Sequence, residues 1–307
     1  MGSLEILESF GFLPYIRRRG RKLMPHLSLR FRDATFHIDS VKGDINDYNL
    51  ITHAHSDHYG QRNMDNENAI ASTKTAKILE TVTNKKFSGI TFNVGENLNF
   101  DGLNLKIKTY DTGHISGSSA FLIQSECKIL VTGDVKDWRV PRCDVLITES
   151  TYGHPEHTFE DEIDRIVEEA MDATYGVYPI GKAQRVARIL VENGYHVKAN
   201  QSISRICKAL GIEIGEEDAE VELTTPKDVW RARGKRFVIT AQKFYRLPRI
   251  VLSDHLDYGG ILKMVEHSKA NCVLFYHGKP SEKLIEDVKE MGKDVFTLKD
   301  LDMLSFG

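Results

Sequence analysis

Short apolar runs, often β-branched, recur along the chain, and each is followed at once by a side chain able to bind a metal or carry a proton. Phe36-His37-Ile38 precedes Asp39, Asn49-Leu50-Ile51-Thr52 precedes His53, and KILVTG precedes Asp134. DVLIT before Glu149, RIVLS before Asp254 and His255, and CVLFY before His277 repeat the pattern. Apolar runs of about four to six residues bounded by polar turns predict buried strands. Side chains just past strand C-termini gather at one edge of a sheet, where loops carry chemistry. These residues are therefore expected to form one site.

From about 157 to 242 the period changes. Thr158 with Asp161 three residues on predicts a capped helix start, and Ile163, Ile166, Val167, Ala170 and Met171 follow at helical spacing. GVYPI then reads as a strand and GKAQRVARILVENG as a helix ending near Gly194; YHVKA and SRICKALG repeat the alternation. The expectation is an α/β chain in which residues 157–242 are a small α/β unit inserted into one domain made of residues 1–156 and 243–307.

Composition narrows the class. The 307 residues carry Lys+Arg 41 against Asp+Glu 44, and 41% are hydrophobic, which excludes disorder and a uniformly basic nucleic-acid coat. No run reaches the ~18 apolar residues of a membrane span. The opening MGSLEILESF lacks a basic-then-apolar signal pattern, so a cytoplasmic location is expected. The four cysteines are too scattered for a disulfide framework or a thiolate zinc site. Arg17, Arg18, Arg19, Arg21 and Lys22 read as a solvated turn, with a phosphate-contacting edge as the alternative.

The strongest chemical signal is His53-Ala-His55-Ser-Asp57-His58. Two histidines two residues apart in an extended segment point the same way and can share one ion, while Asp57 and His58, after a turn, can serve a second. Zinc takes neutral imidazole and carboxylate donors, and a catalytic ion keeps a position for water. A pair of ions needs more donors. His114, in the Gly/Ser-rich DTGHISGSSAF, and Asp134, whose two oxygens can bridge, are the candidates.

HxHxDH, a glycine-flanked histidine and Gly-Asp at a strand end together resemble the metallo-β-lactamase superfamily. DVLITESTYG with Glu149, SDHLDYGG with His255 and LFYHG with His277 resemble its β-CASP nuclease branch, and PIGKAQR (179–185) resembles a turn seen inside that branch's inserted domain. The resemblance runs from Asp39 to His277. It implies an αββα sandwich with a short inserted β-CASP-like domain and two zinc ions. By this resemblance His53, His55 and His114 hold one ion, Asp57, His58 and His277 the other, and Asp134 bridges. Asp39 orients a ligand histidine from behind, and His255, steadied by Glu149, is the general acid or a phosphate contact.

The function so implied is hydrolysis of phosphodiester bonds in a single strand, RNA favoured, by a metal-bridging hydroxide, in a cleft beneath the insertion. Lys182 and Arg185, with Arg188, are expected to hold substrate phosphates at a helix start, and Arg231, Arg233, Lys235 and Arg236 form a second basic cluster; the alternative for each group is a solvated face. The alternatives are a DNA exonuclease of the ligase-associated type, a small-molecule ester or thioester hydrolase, and a metal-less scaffold. The insertion is short for the branch and no further RNA-binding domain is visible, so a homodimer or partner proteins are expected to aid targeting.

Overall fold

A computed structural model describes residues 7–8, 11–19, 22–41, 45–215 and 217–304. Two compact units emerge. The first takes the described residues up to Ala76, Lys85–Thr158 and those from His255 on; the second takes Lys77–Asn84 and Phe159–Asp254.

The first unit holds two sheets. One is six-stranded, in the order β1 (Phe12–Arg19), β2 (Lys22–Phe31), β3 (Ala34–Ile38), β4 (Tyr48–Leu50), β5 (Ala69–Ser72), β6 (Ile90–Phe92). The helix α1 (Thr73–Thr83) follows β5. The other sheet is built from β7 (Asn97–Phe100), β8 (Leu105–Asp111), β9 (Ser119–Gln124), β10 (Lys128–Val131), β11 (Val145–Ser150), β17 (Cys272–Gly278) and β18 (Asp294–Thr297), in the order β18-β17-β11-β10-β9-β8-β7.

Strand alternation divides the apolar side chains between layers. Ile129, Val131, Val145 and Ile147 join Phe36, Ile38, Leu50 and Ile70 of the first sheet in one core. Leu130, Leu146 and Val273 point the other way, onto Ile261, Met264 and Val265 of α5 (Tyr258–Ser268) and Leu284 and Val288 of α6 (Glu282–Glu290). A last helix, α7 (Leu298–Leu304), follows β18. The fold is thus the expected αββα sandwich, interrupted by an α/β insertion. Arg17–Arg19 and Lys22 lie on β1 and β2, where Arg19 opposes Lys22, rather than in an isolated turn; Arg21 lies outside the described residues.

The second unit is a five-stranded sheet with every pair parallel: β12 (Ala173–Gly176), β13 (Val197–Ala199), β14 (Val221–Thr224), β15 (Lys235–Ile239) and β16 (Arg249–Ile250), in the order β13-β14-β12-β15-β16. Its helices are α2 (Ile163–Glu168), α3 (Lys182–Glu192) and α4 (Gln201–Ala209). As expected, α3 ends just before Gly194, which takes a positive φ of 84°. The strand predicted at GVYPI is instead Ala173–Gly176. No capping box forms at Thr158, since α2 begins at Ile163 without a side-chain cap. Asp161 instead accepts from the Ser253 amide at 2.8 Å. Because β16 pairs with β15, the insertion runs to Asp254, past the return drawn at residue 243.

Candidate metal centre

The donors arrive from strand ends of both facing sheets, not from one sheet edge. β3 leads to Asp39 and β4 to the His53–His58 loop, while β8 and β10 lead to His114 and Asp134. Glu149 and His277 lie within β11 and β17, at a break in register: Thr148 opposes Phe275, but Glu149 opposes His277, leaving Tyr276 as an extra residue. Such a bulge re-aims the side chains beside it.

Asp39 organises the entrance loop. It sits at φ 51°, a left-handed conformation aspartate tolerates better than most residues. Its carboxylate accepts from the Thr52 amide (2.9 Å), the Thr52 hydroxyl (2.9 and 3.0 Å), His58 Nδ1 (2.9 Å) and the Tyr276 hydroxyl (2.8 Å). The single hydroxyl proton of Thr52 is committed to Asp39, so Thr52 Oγ1 accepts from His53 Nδ1 at 2.9 Å. Both imidazoles are thereby held with Nε2 turned inward. The chain then turns back as the amides of His58 and Tyr59 donate to the His55 carbonyl at 3.0 and 3.3 Å.

Inside, the donor atoms converge. His53 Nε2 lies 3.0 Å and His114 Nε2 3.3 Å from His55 Nδ1, and Asp134 Oδ2 lies 3.5 and 3.6 Å from His53 and His114. Zinc bonds of about 2.0–2.2 Å in a tetrahedron would set donors about 3.3–3.6 Å apart. The same Asp134 oxygen is 3.5 Å from His58 Nε2, which is 4.0 Å from Asp57, and Asp57 is 3.8 Å from His277 Nε2. His53, His55, His114 and Asp134 thus form one cluster able to hold an ion, and Asp57, His58 and His277 another. His58 Nε2 and Asp134 Oδ1 are buried without a hydrogen-bond partner among the described residues, as atoms reserved for a cation would be. Asp134, Glu149 and His255 also lie close together, but both Glu149 oxygens accept from His255 Nδ1 at 2.9 Å and Oε1 takes the Val135 amide at 2.7 Å. Glu149 is therefore fitted to hold a histidine. His255 faces His114, ring centroids 4.6 Å apart, and the Leu256 amide bound to the Val135 carbonyl pins its segment.

Charge crowding follows. Burial, with His58 and the other imidazoles nearby, pushes His53 well below its ordinary value. Burial would lower His58 too, but the Asp134 and Asp39 carboxylates outweigh it and raise it to about 10. Without metal His58 therefore carries a proton at neutral pH that a cation must displace. Because its folded value lies above the unfolded one, its stabilisation is complete below about pH 6.5 and is lost as pH rises through about 10. The melting temperature of chelator-treated protein should fall over that window, and that of metal-loaded protein should not; parallel curves would contradict it.

Close packing leaves no room for a side chain at Gly133, beside the donors. Gly133 has φ 65°, and a Cβ there would stand 2.5 Å from Thr52 Cβ and 2.6 Å from Thr52 Oγ1. Gly133→Ala should displace Thr52 and Asp134 together and weaken metal retention at least about ten-fold, as loss of outer partners does. Metal titration checks this, and parental affinity would contradict it.

Lys182 and Arg185 have other occupations than the phosphate contacts expected of them. Lys182 is buried, with Nζ 2.8 Å from both the Leu252 carbonyl and Asp254 Oδ2. Arg185 binds the Ser253 carbonyl (2.7 Å), Asp254 (3.1 Å) and Asp161 (2.9 Å). The GKAQR turn works internally: Gln184 Oε1 accepts from the Gly181 amide at 2.8 Å. In the second basic cluster, Arg231 pairs with Asp228 and Lys235 with Glu169. Thr52 and Tyr276, the supports of Asp39, escape sequence reasoning; Tyr276 beside His277 was the available signal. No described helix is long and apolar enough to cross a membrane.

No family model matches the chain. Among curated proteins it is similar to "RNase J-like protein" of Methanocaldococcus jannaschii, 34% identical over 30% of this chain and 26% of that protein. It is also similar to "Probable DNA ligase" of Opitutus terrae, 24% identical over 84% of this chain and 29% of that protein. "RNase aCSPSF2" of Saccharolobus solfataricus is 26% identical over 52% of this chain and 41% of that protein. The chain therefore spans well under half the length of these relatives. A crystal structure of a protein of unknown function from Enterococcus faecalis V583 superposes with a TM-score of 0.67 at 13% identity, covering 92% of this chain and 97% of that one.

Proposed function

We propose, from a chain that resembles the β-CASP nuclease branch of the metallo-β-lactamase superfamily, a zinc-dependent nuclease that hydrolyses phosphodiester bonds of single-stranded nucleic acid, with RNA favoured. The observation that carries this reading is the position of Asp134, a member of the first donor cluster whose Oδ2 lies 3.5 Å from His58 of the second, with the His255–Glu149 pair alongside. A lactonase or thioesterase has a use for the clusters but no evident need for the pair. The relatives named as RNases favour RNA.

In this reading His53, His55 and His114 would hold one zinc ion and Asp57, His58 and His277 a second, with Asp134 a donor available from between the two clusters. Zinc supplies a Lewis acid that activates water and neutralises charge developing on the phosphoryl oxygens. Asp39 keeps the Nδ1 proton of His58, so that Nε2 offers its lone pair inward. Glu149 likewise keeps the Nδ1 proton of His255, so that Nε2 can carry a second proton and deliver it to the departing 3′-oxygen, a poor leaving group unaided.

End-labelled single-stranded RNA and DNA of equal sequence test the reading. RNA cleavage should disappear with chelator and return with zinc. Hydrolysis of esters or thioesters with neither nucleic acid cut would overturn it. The relative named as a probable DNA ligase, matching 84% of this chain, favours DNA as the second reading, and stronger cleavage of the DNA strand would select it.

A further inference from the structure

In a parallel sheet, ligands gather beyond the C-terminal ends of the strands, where the loops leave a crevice. The inserted sheet presents there a group of rings that nothing in the metal centre uses. Tyr178 follows β12, and the segment Gln242–Arg246 follows β15. Phe244 is 71% exposed and Tyr178 38%. Phe244 stacks on Tyr245 with ring centroids 4.7 Å apart and planes 27° from parallel. Tyr245 is fixed in turn: its hydroxyl meets that of Tyr178 at 2.7 Å, and the Tyr178 hydroxyl donates to Gln242 Oε1 at 3.1 Å. Tyr245 also packs on a small core of Val229, Val238 and Leu247.

An exposed phenylalanine ordinarily costs hydration and is left loose. Here the ring stacks on a tyrosine whose hydroxyl is hydrogen-bonded to Tyr178, itself bound to Gln242, and most of the phenylalanine stays exposed. The residues flanking it in sequence add charge: Lys243 and Arg246 are exposed, and neither makes an ion pair among the described residues. An exposed, stacked π face flanked by two cations without an ion pair among the described residues matches one repeating chemistry, a base flanked by backbone phosphates, and base–aromatic stacking tolerates any base. A partner protein would need a broader apolar surface than one ring.

We propose that Phe244, backed by Tyr245 and Tyr178, is a stacking platform for a base of a single-stranded nucleic acid, with Lys243 and Arg246 contacting the phosphates on either side. The assignment rests on the nuclease reading and gives that substrate a binding site in the inserted unit. It also replaces the contacts that Lys182 and Arg185, engaged with Asp254, do not offer.

The test is fluorescence anisotropy of a labelled single strand with nuclease-resistant phosphorothioate linkages, titrated with the metal-loaded full chain. Phe244→Leu, which keeps apolar bulk but removes the π face, should weaken binding about ten-fold. Phe244→Trp should bind at least as well as the parent. Replacing Lys243 and Arg246 together with alanine should flatten the dependence of log affinity on log salt by about 1.4, or about 0.7 for each phosphate no longer neutralised. Unchanged binding by Phe244→Leu, with parental cleavage intact, overturns the platform and leaves the nuclease reading standing. A parent that neither binds nor cuts single strands overturns both. Parental binding by Phe244→Leu, with a dimer that dissociates in that variant, would make the ring a contact between copies instead.

Discussion

Asp134→Ala is expected to empty both histidine clusters and to lower cleavage at least about 10³-fold, since the carboxylate belongs to one cluster and lies 3.5 Å from His58 of the other, and the charge stabilisation by cations would be lost with it. Its Oδ2 lies 3.5, 3.5 and 3.6 Å from His53, His58 and His114. Burial would raise the Asp134 acid, yet the surrounding imidazoles, His58 foremost, hold it well below the ordinary carboxylate range. Removing it leaves buried histidines to repel one another, so metal-free Asp134→Ala should also melt below the metal-free parent. Metal content per chain together with turnover checks the first point, and near-parental metal content in the variant would contradict the sharing.

His255→Ala should behave in the opposite way, with both ions retained and cleavage of oligonucleotides reduced by about 10²- to 10⁴-fold, the range for a lost general acid. His255 Nδ1 is held by Glu149, whereas the Nδ1 atoms of His53 and His58 are held by the Asp39–Thr52 support. Substrate chemistry separates its role from general damage. A bis-nitrophenyl phosphodiester expels a stable phenolate that needs no proton, so its hydrolysis should survive the substitution far better than that of RNA. Equal losses on the two substrates would contradict proton donation.

The metal-competent positions were legible because each follows or closes a short apolar strand, and strands of this kind are recognisable from their neighbours alone. HxHxDH further declares its geometry locally: an extended pair, then a turn. What the pattern hides is the partner each strand chooses. Asp39 and His53 come from one sheet and His114 and Asp134 from the other, and their meeting depends on two sheets packing face to face through a shared core, a long-range event with no local signature. The bulge at Tyr276 is equally silent, since it exists only in the pairing of β11 with β17. Lys182 and Arg185 misled for the same reason. Lysine and arginine at a helix start look like phosphate ligands, and only the return of the chain at Asp254 shows what neutralises them. The ring platform at Phe244 is likewise a product of tertiary contacts, between loops that follow two different strands.

The proposed function requires these histidines and carboxylates to hold two cations beside Asp134. Anomalous diffraction at the zinc absorption edge, from crystals grown with zinc, addresses it directly. Two strong peaks should appear, one among His53, His55 and His114, the other among Asp57, His58 and His277, with Asp134 between them. A single peak, or peaks away from Asp134, would contradict the account.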